Sequence, residues 1–66
     1  MNYQHLLYFR AVAVAGGITS AARRLRLTPP TLSAQVRVLE EALGTTLFER
    51  NARGMTLTED GQVVLR

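Results

Sequence analysis

The apolar positions of this chain change their period along its length, and each change marks an element. Over residues 3–15, Leu6, Phe9 and Ala13 recur at i, i+3 and i+7, and Leu7 and Val12 widen the stripe, which predicts a helix. Gly16 suits its terminator, because glycine takes the left-handed conformation with no Cβ to clash. Over 18–26 the stretch ITSAARRLR sets Ile18, Ala21, Ala22 and Leu25 on one face of a short second helix, with Gly17 or Thr19 as its N-cap. Small side chains at Ala21 and Ala22 let a neighbouring helix come close. In a third helix over 29–43, at about 100° per residue, Leu32, Val36, Leu39 and Leu43 fall within about 60° of one another. Gly44 ends it.

Beyond Gly44 the period shortens. TTLFER at 45–50 alternates loosely, and MTLT at 55–58 turns Met55 and Leu57 inward and Thr56 and Thr58 outward. NARG lies between them, so the segment reads as a two-stranded hairpin with Arg53 at or near its tip. At TEDGQVVLR a helical pattern restarts. Thr58 is its cap, and Glu59 and Asp60 sit at the positive end of the helix dipole. Val63, Val64 and Leu65 leave an apolar cluster on this short helix, as though a partner surface belonged there.

The start of the third helix is the most informative stretch. Thr28 is placed to cap it, with its hydroxyl accepting an orphan N–H. Pro29 follows as the first helical residue, where a missing N–H costs nothing and the ring presets φ. Pro30 stands in the first turn, where N–H groups still lack intrahelical acceptors. Together the prolines prevent the second helix from running into the third. The face opposite the leucines carries Pro30, Ala34, Arg37 and Glu41, flanked by Thr31, Ser33 and Val38. It is low in profile and uncharged at the tip, with an arginine one turn further on.

Composition narrows the reading. Sixty-six residues make one domain, and a chain this short buries only about 60% of the surface it exposes unfolded. Cysteine is absent, so neither disulfide nor thiolate chemistry is available. No apolar run has the length of a membrane span, and MNYQHLLYFR lacks the basic start of a secretory signal, so a cytoplasmic protein is expected. The net charge is +3, carried wholly by arginine, and residues 1–28 hold Arg10, Arg23, Arg24 and Arg26 without an acid. That asymmetry favours an anionic partner. There is no Gly-rich phosphate loop and no metal-ligand cluster, and the single histidine, His5, has no partner nucleophile. Neither an enzyme nor a bound cofactor or metal is therefore expected.

Two helices joined by a tight turn form a helix-turn-helix, and a following hairpin makes it winged. In that arrangement the second helix of the pair meets the major groove of double-stranded DNA by its N-terminal end. Pro30 and Ala34 can touch a thymine methyl, Ser33 can bond to either class of base, and Arg37 can reach a guanine or a phosphate. Arg37 can alternatively pair with Glu41 one turn on. Arg23, Arg24 and Arg26 can meet phosphates, although a charge run of this kind is more often a solvated helix face. Tyr3, Tyr8, Phe9 and Phe48 read as packing residues, with Phe9 and Phe48 as core anchors.

The segments HLLYFRAVA (5–13), AARRLRLT (21–28), TLSAQVRVLEEALGTTLFER (31–50) and RGMTLTEDG (53–61) together resemble the DNA-binding domain of LysR-type transcriptional regulators. The pattern Leu-Glu-x-x-Leu-Gly-x-x-Leu-Phe-x-Arg, followed by Arg-Gly-x-x-Leu-Thr-x-x-Gly, is specific to that family. NYQHLLYF, GGI and LTPPTLS are similar to the subgroup that controls sodium/proton antiporters. The resemblance implies a mostly α winged helix-turn-helix with three helices, a two-stranded wing and the start of a linker helix. It implies a domain over 1–58, with the helix-turn-helix about 18–37 and the wing about 46–57, and a truncated dimerisation helix from 58 to 66.

The resemblance also implies a dimer on an interrupted palindrome, with wings at the flanking minor groove. The positions matching the family's contacts are Pro29, Pro30, Ser33 and Ala34 at the helix tip, Thr31 and Arg50 toward phosphates, and Arg53 on the wing. Thr28 and Arg37 complete the candidate set. Many members carry glutamine at the position of Pro29 and often arginine at that of Ala34; both differences remove donors from the tip, so a generic member's base preference does not carry over to this chain. Full-length members form homodimers and tetramers and continue into a ligand-binding domain, through which a small-molecule effector would act. The competing reading is a winged-helix module that binds protein, which would want an apolar or acidic outer face on the third helix.

Overall fold

A computed structural model describes residues 3–52 and 54–66. Six elements follow in order: α1 (Tyr3–Ala15), α2 (Ile18–Leu25), α3 (Pro29–Leu43), β1 (Phe48–Asn51), β2 (Gly54–Leu57) and α4 (Glu59–Leu65). The mostly helical, winged fold expected from the patterning is the fold observed.

In α1, Phe9 and Val12 are buried. Leu7 is not part of that stripe and stays 46% exposed. It stands two residues from Phe9, and two steps of a helix rotate the side chain by about 200°, to the far side. Gly16 closes α1 at φ 80, its N–H bonded to the Val12 carbonyl at 2.9 Å.

Gly17, not Thr19, is the N-cap of α2. Ala21 and Ala22 are fully buried, which allows α2 to pack against both α1 and α3. The helix stops at Leu25, one residue earlier than its pattern suggests, because Arg26 turns into the left-handed region at φ 59. The Leu27 N–H then reaches back to the Ala22 carbonyl at 2.9 Å, a Schellman-type closure. Gly44 ends α3 in the same way at φ 71, with the Thr45 N–H on the Glu40 carbonyl. Arginine therefore occupies in one turn the conformation that glycine occupies in the other.

Thr28 is the N-cap of α3 by backbone conformation, extended at φ −79 and ψ 147. Its hydroxyl makes no cap bond and donates instead to the Thr31 hydroxyl at 2.8 Å. The physical reason lies in the prolines. Pro29 and Pro30 remove the first two N–H groups, so little is left for a cap to satisfy. Thr58, in contrast, caps α4 as expected, accepting from the Gly61 N–H at 3.0 Å.

The wing pairs β1 and β2 antiparallel, with Phe48 opposite Leu57 and Arg50 opposite Met55. Thr45 and Thr46, read as part of the first strand, precede it. Their polar groups are engaged elsewhere: the Thr45 hydroxyl donates to Asp60 at 2.6 Å, and the Thr46 carbonyl accepts from the Thr58 hydroxyl at 2.7 Å. The expected tip position of Arg53 lies outside the described residues.

Two apolar clusters make the core. Val12, Ala21, Ala22, Leu32 and Val36 join the three helices. Phe9, Leu39 and Leu47 form the second, under the wing. Phe48 touches both clusters, and its ring lies 5.3 Å from that of Phe9, tilted by 50°. Val64 packs on the second cluster, which seats α4 on the domain, while Val63 stays exposed.

Candidate nucleic-acid interface

The leucine side of α3 is sealed: Leu32, Val36 and Leu39 are buried against the rest of the domain. That burial orients the other side outward. Thr28, Pro29, Pro30, Thr31, Ala34 and Arg37 are all exposed, and Ser33 is half-buried where α3 meets the wing. With prolines at its first two positions, the helix tip carries neither bulky side chains nor charge.

A groove of about 500 Å³ runs between the starts of α2 and α3 and the wing. Pro29, Pro30, Ser33 and Arg50 line it, so the fold brings together four of the candidate residues from two separate segments. Arg37 lies in an adjoining smaller groove, again with Ser33 and Arg50. Thr28, Thr31 and Ala34 line neither groove and stand on the open side of α3. Arg53 belongs to the candidate set but is outside the described residues.

The same groove is walled by Thr19, Ser20 and Gly54, which the sequence reading left out. Thr19 and Ser20 are exposed hydroxyls in the first turn of α2, beside first-turn N–H groups for which Gly17 supplies no side-chain cap. The available signal was hydroxyl residues opening a helix that has no acid in its first turn. Neither α2 nor α3 carries an acid in its first turn, so both positive helix ends face the groove without a compensating anion.

Among the described residues no cluster of histidine, cysteine and carboxylate side chains is arranged to hold a metal ion, and no helix is long and apolar enough to cross a membrane. The donors on this face are hydroxyls and guanidinium groups. Such groups suit phosphate oxygens and base edges.

Known proteins share this architecture. The solved CbnR_DBD-DNA complex superposes with a TM-score of 0.92 at 43% identity, covering 98% of this chain and 75% of that one. The BenM_DBD/benA site 1 DNA complex gives 0.93 at 40% identity, covering 98% and 76%. Among curated proteins, the transcriptional regulator TfdT of Cupriavidus pinatubonensis is 48% identical over 98% of this chain and 28% of its own length. The transcriptional activator protein NhaR of Escherichia coli is 46% identical over all of this chain and 22% of its own. The chain spans about a quarter of the length of either. Residues 3–62 match the family described as bacterial regulatory helix-turn-helix protein, lysR family. By fold, by the composition of its exposed helix face and by sequence, the chain belongs to the lysR family of bacterial regulators.

Proposed function

We propose that this chain binds double-stranded DNA sequence-specifically, as the DNA-reading part of a transcriptional regulator, with the N-terminal half of α3 in the major groove. The observation that carries this reading is the two-sidedness of α3. Leu32, Val36 and Leu39 are sealed inside while Pro30, Ala34 and Arg37 stand outside. Pro29, Pro30, Ser33 and Ala34 meet base edges, and Arg37 reaches a guanine or a phosphate. Thr28, Thr31 and Arg50 position the domain on phosphates, and Thr19 and Ser20 add hydroxyl and backbone donors from the start of α2. Arg53, between β1 and β2 in sequence, serves the minor groove. Support comes from relatives of the same fold solved as DNA complexes.

The helix-turn-helix occupies about 18–37 and the binding domain about 1–58, with 58–66 opening a dimerisation helix. A homodimer forms through the α1–α4 side, where Tyr3, Leu6, Leu7, Val64 and Leu65 line an apolar groove of about 180 Å³. In the longer protein, tetramer formation and a small-molecule effector act through a domain outside this chain, in the cytoplasm. The role is binding, without catalysis.

The decisive experiment is a titration of a random duplex at several salt concentrations, followed by selection of duplexes from a random pool. Counterion release predicts a steep linear fall of log K with log salt, and selection is expected to return a recurring half-site. Binding indifferent to salt, as a protein-binding module would give, or a pool that yields no consensus, overturns the reading.

A further inference from the structure

The last turn of α3 breaks a rule. A helix C-terminus favours cations, yet this one has no basic residue in its last turn and carries Glu40 and Glu41 near its end. Glu41 is exposed; Glu40 is half-buried and lines the small groove that also holds Ser33, Arg37 and Arg50. A carboxylate there opposes a polyanionic partner. Its geometry explains its presence: Oε2 of Glu40 accepts the backbone N–H of Leu47 at 2.7 Å.

Leu47 is the residue on which the wing is hung. Its side chain is buried with Phe9 and Leu39, and β1 begins at the next residue. Its carbonyl accepts the Thr58 N–H at 3.0 Å, just past the end of β2. The N–H of Leu47 is therefore tied to α3 and its carbonyl to the far end of the wing. Three residues on stands Arg50, which shares the groove with Ser33.

We propose that Glu40 is a positioning residue, holding the wing, and with it Arg50, in register with the tip of α3 through the Leu47 N–H. This rests on the DNA-binding reading above. Two substitutions separate position from charge. Glu40→Asp keeps the charge but withdraws the acceptor by one methylene; Glu40→Gln keeps an oxygen at the same reach and removes the charge. The measurements are affinity for a random duplex across salt concentrations and amide hydrogen exchange at Leu47.

For Glu40→Asp we expect an affinity loss of roughly tenfold, the size of one displaced charge-assisted contact. Its salt slope flattens by about 0.9 for one lost phosphate contact, and exchange at Leu47 is faster. Glu40→Gln binds at least as tightly as wild type, with Leu47 still protected. A purely electrostatic role gives the other pattern: Glu40→Gln tighter, Glu40→Asp equal to wild type, and unchanged Leu47 exchange in both. That pattern overturns the proposal. Should the wild-type chain itself fail to bind duplex DNA, the functional reading falls. Leu47 exchange and the amide shifts of β1 and β2 in Glu40→Asp then still decide whether Glu40 places the wing, since unchanged values refute it.

Discussion

Gly61 lies against the backbone of Leu47 so closely that a Cβ at position 61 would overlap the Leu47 carbonyl oxygen. The first turn of α4 thus rests directly on the connection between α3 and β1. Polar bonds surround the contact: Thr45 to Asp60, Thr58 to Thr46, and the Thr58 N–H to Leu47 itself. Here the recognition helix, the wing and the outgoing helix are joined.

Replacing Gly61 by alanine sets two effects against each other. Helix propensity favours alanine by about 1 kcal/mol. The Leu57 side chain, at 3.0 Å, can shift, but the clash with the Leu47 backbone cannot be relieved by a rotamer change, and overpacking of that kind costs about 1–3 kcal/mol. The clash wins, and Gly61→Ala is expected to destabilise the domain in urea unfolding. A midpoint equal to or above that of wild type would refute the contact.

The two threonine caps should behave differently. The Thr58 hydroxyl accepts the Gly61 N–H and donates to the Thr46 carbonyl, so Thr58→Ala is expected to cost about 1–2 kcal/mol. The Thr28 hydroxyl bonds to that of Thr31 on an exposed surface, and Thr28→Ala is expected to stay within about 0.5 kcal/mol of wild type. Thermal melts of the two variants side by side test the contrast.

Arg26 is the only non-glycine residue at positive φ among those described. A side chain in that region costs about 1–2 kcal/mol, while glycine forfeits about 0.4–1 kcal/mol through the unfolded chain. The balance predicts that Arg26→Gly stabilises by about 0.5–1 kcal/mol. A lowered melting temperature would show that the Arg26 side chain contributes more than its backbone strain removes.

Arg50 faces the groove from β1, opposite Met55 in the sheet. Arg50→Ala is expected to weaken binding to all duplexes alike and to flatten the salt slope by about 0.9. Fluorescence anisotropy over a salt series is the measurement. A loss confined to one sequence would reassign Arg50 to base reading.

Ala34 stands exposed on the open side of α3. Ala34→Arg introduces a guanine-preferring donor fork there, so the consensus selected from a random pool is expected to change more than the affinity for random DNA. Recovery of the same consensus from both proteins would remove Ala34 from the base-reading set.

Much of this was legible in the chain itself, for a local reason. Leu32, Val36 and Leu39 repeat with the helix, so which side of α3 is buried follows from spacing alone. The Pro29–Pro30 start, the Gly16 and Gly44 stops and the Thr58 cap are likewise decided by the backbone needs of single residues. Spacing predicts too wide a stripe for α1 at Leu7, which is exposed, because spacing counts neighbours and not angles.

Tertiary structure decided what depends on elements far apart in sequence. No pattern joins Thr19 and Ser20 to Arg50, yet the packing of α1, α2 and α3 through Ala21 and Ala22 sets them around one groove. The hydroxyl of Thr28 could not be assigned without knowing that Thr31 would meet it. Glu40 reads as a surface acid until the Leu47 N–H arrives, seven residues on, to be accepted. Periodicity and capping are properties of a segment and survive in the bare sequence. Grooves and tertiary hydrogen bonds are properties of how segments meet, and only side-chain volumes packed in three dimensions determine that.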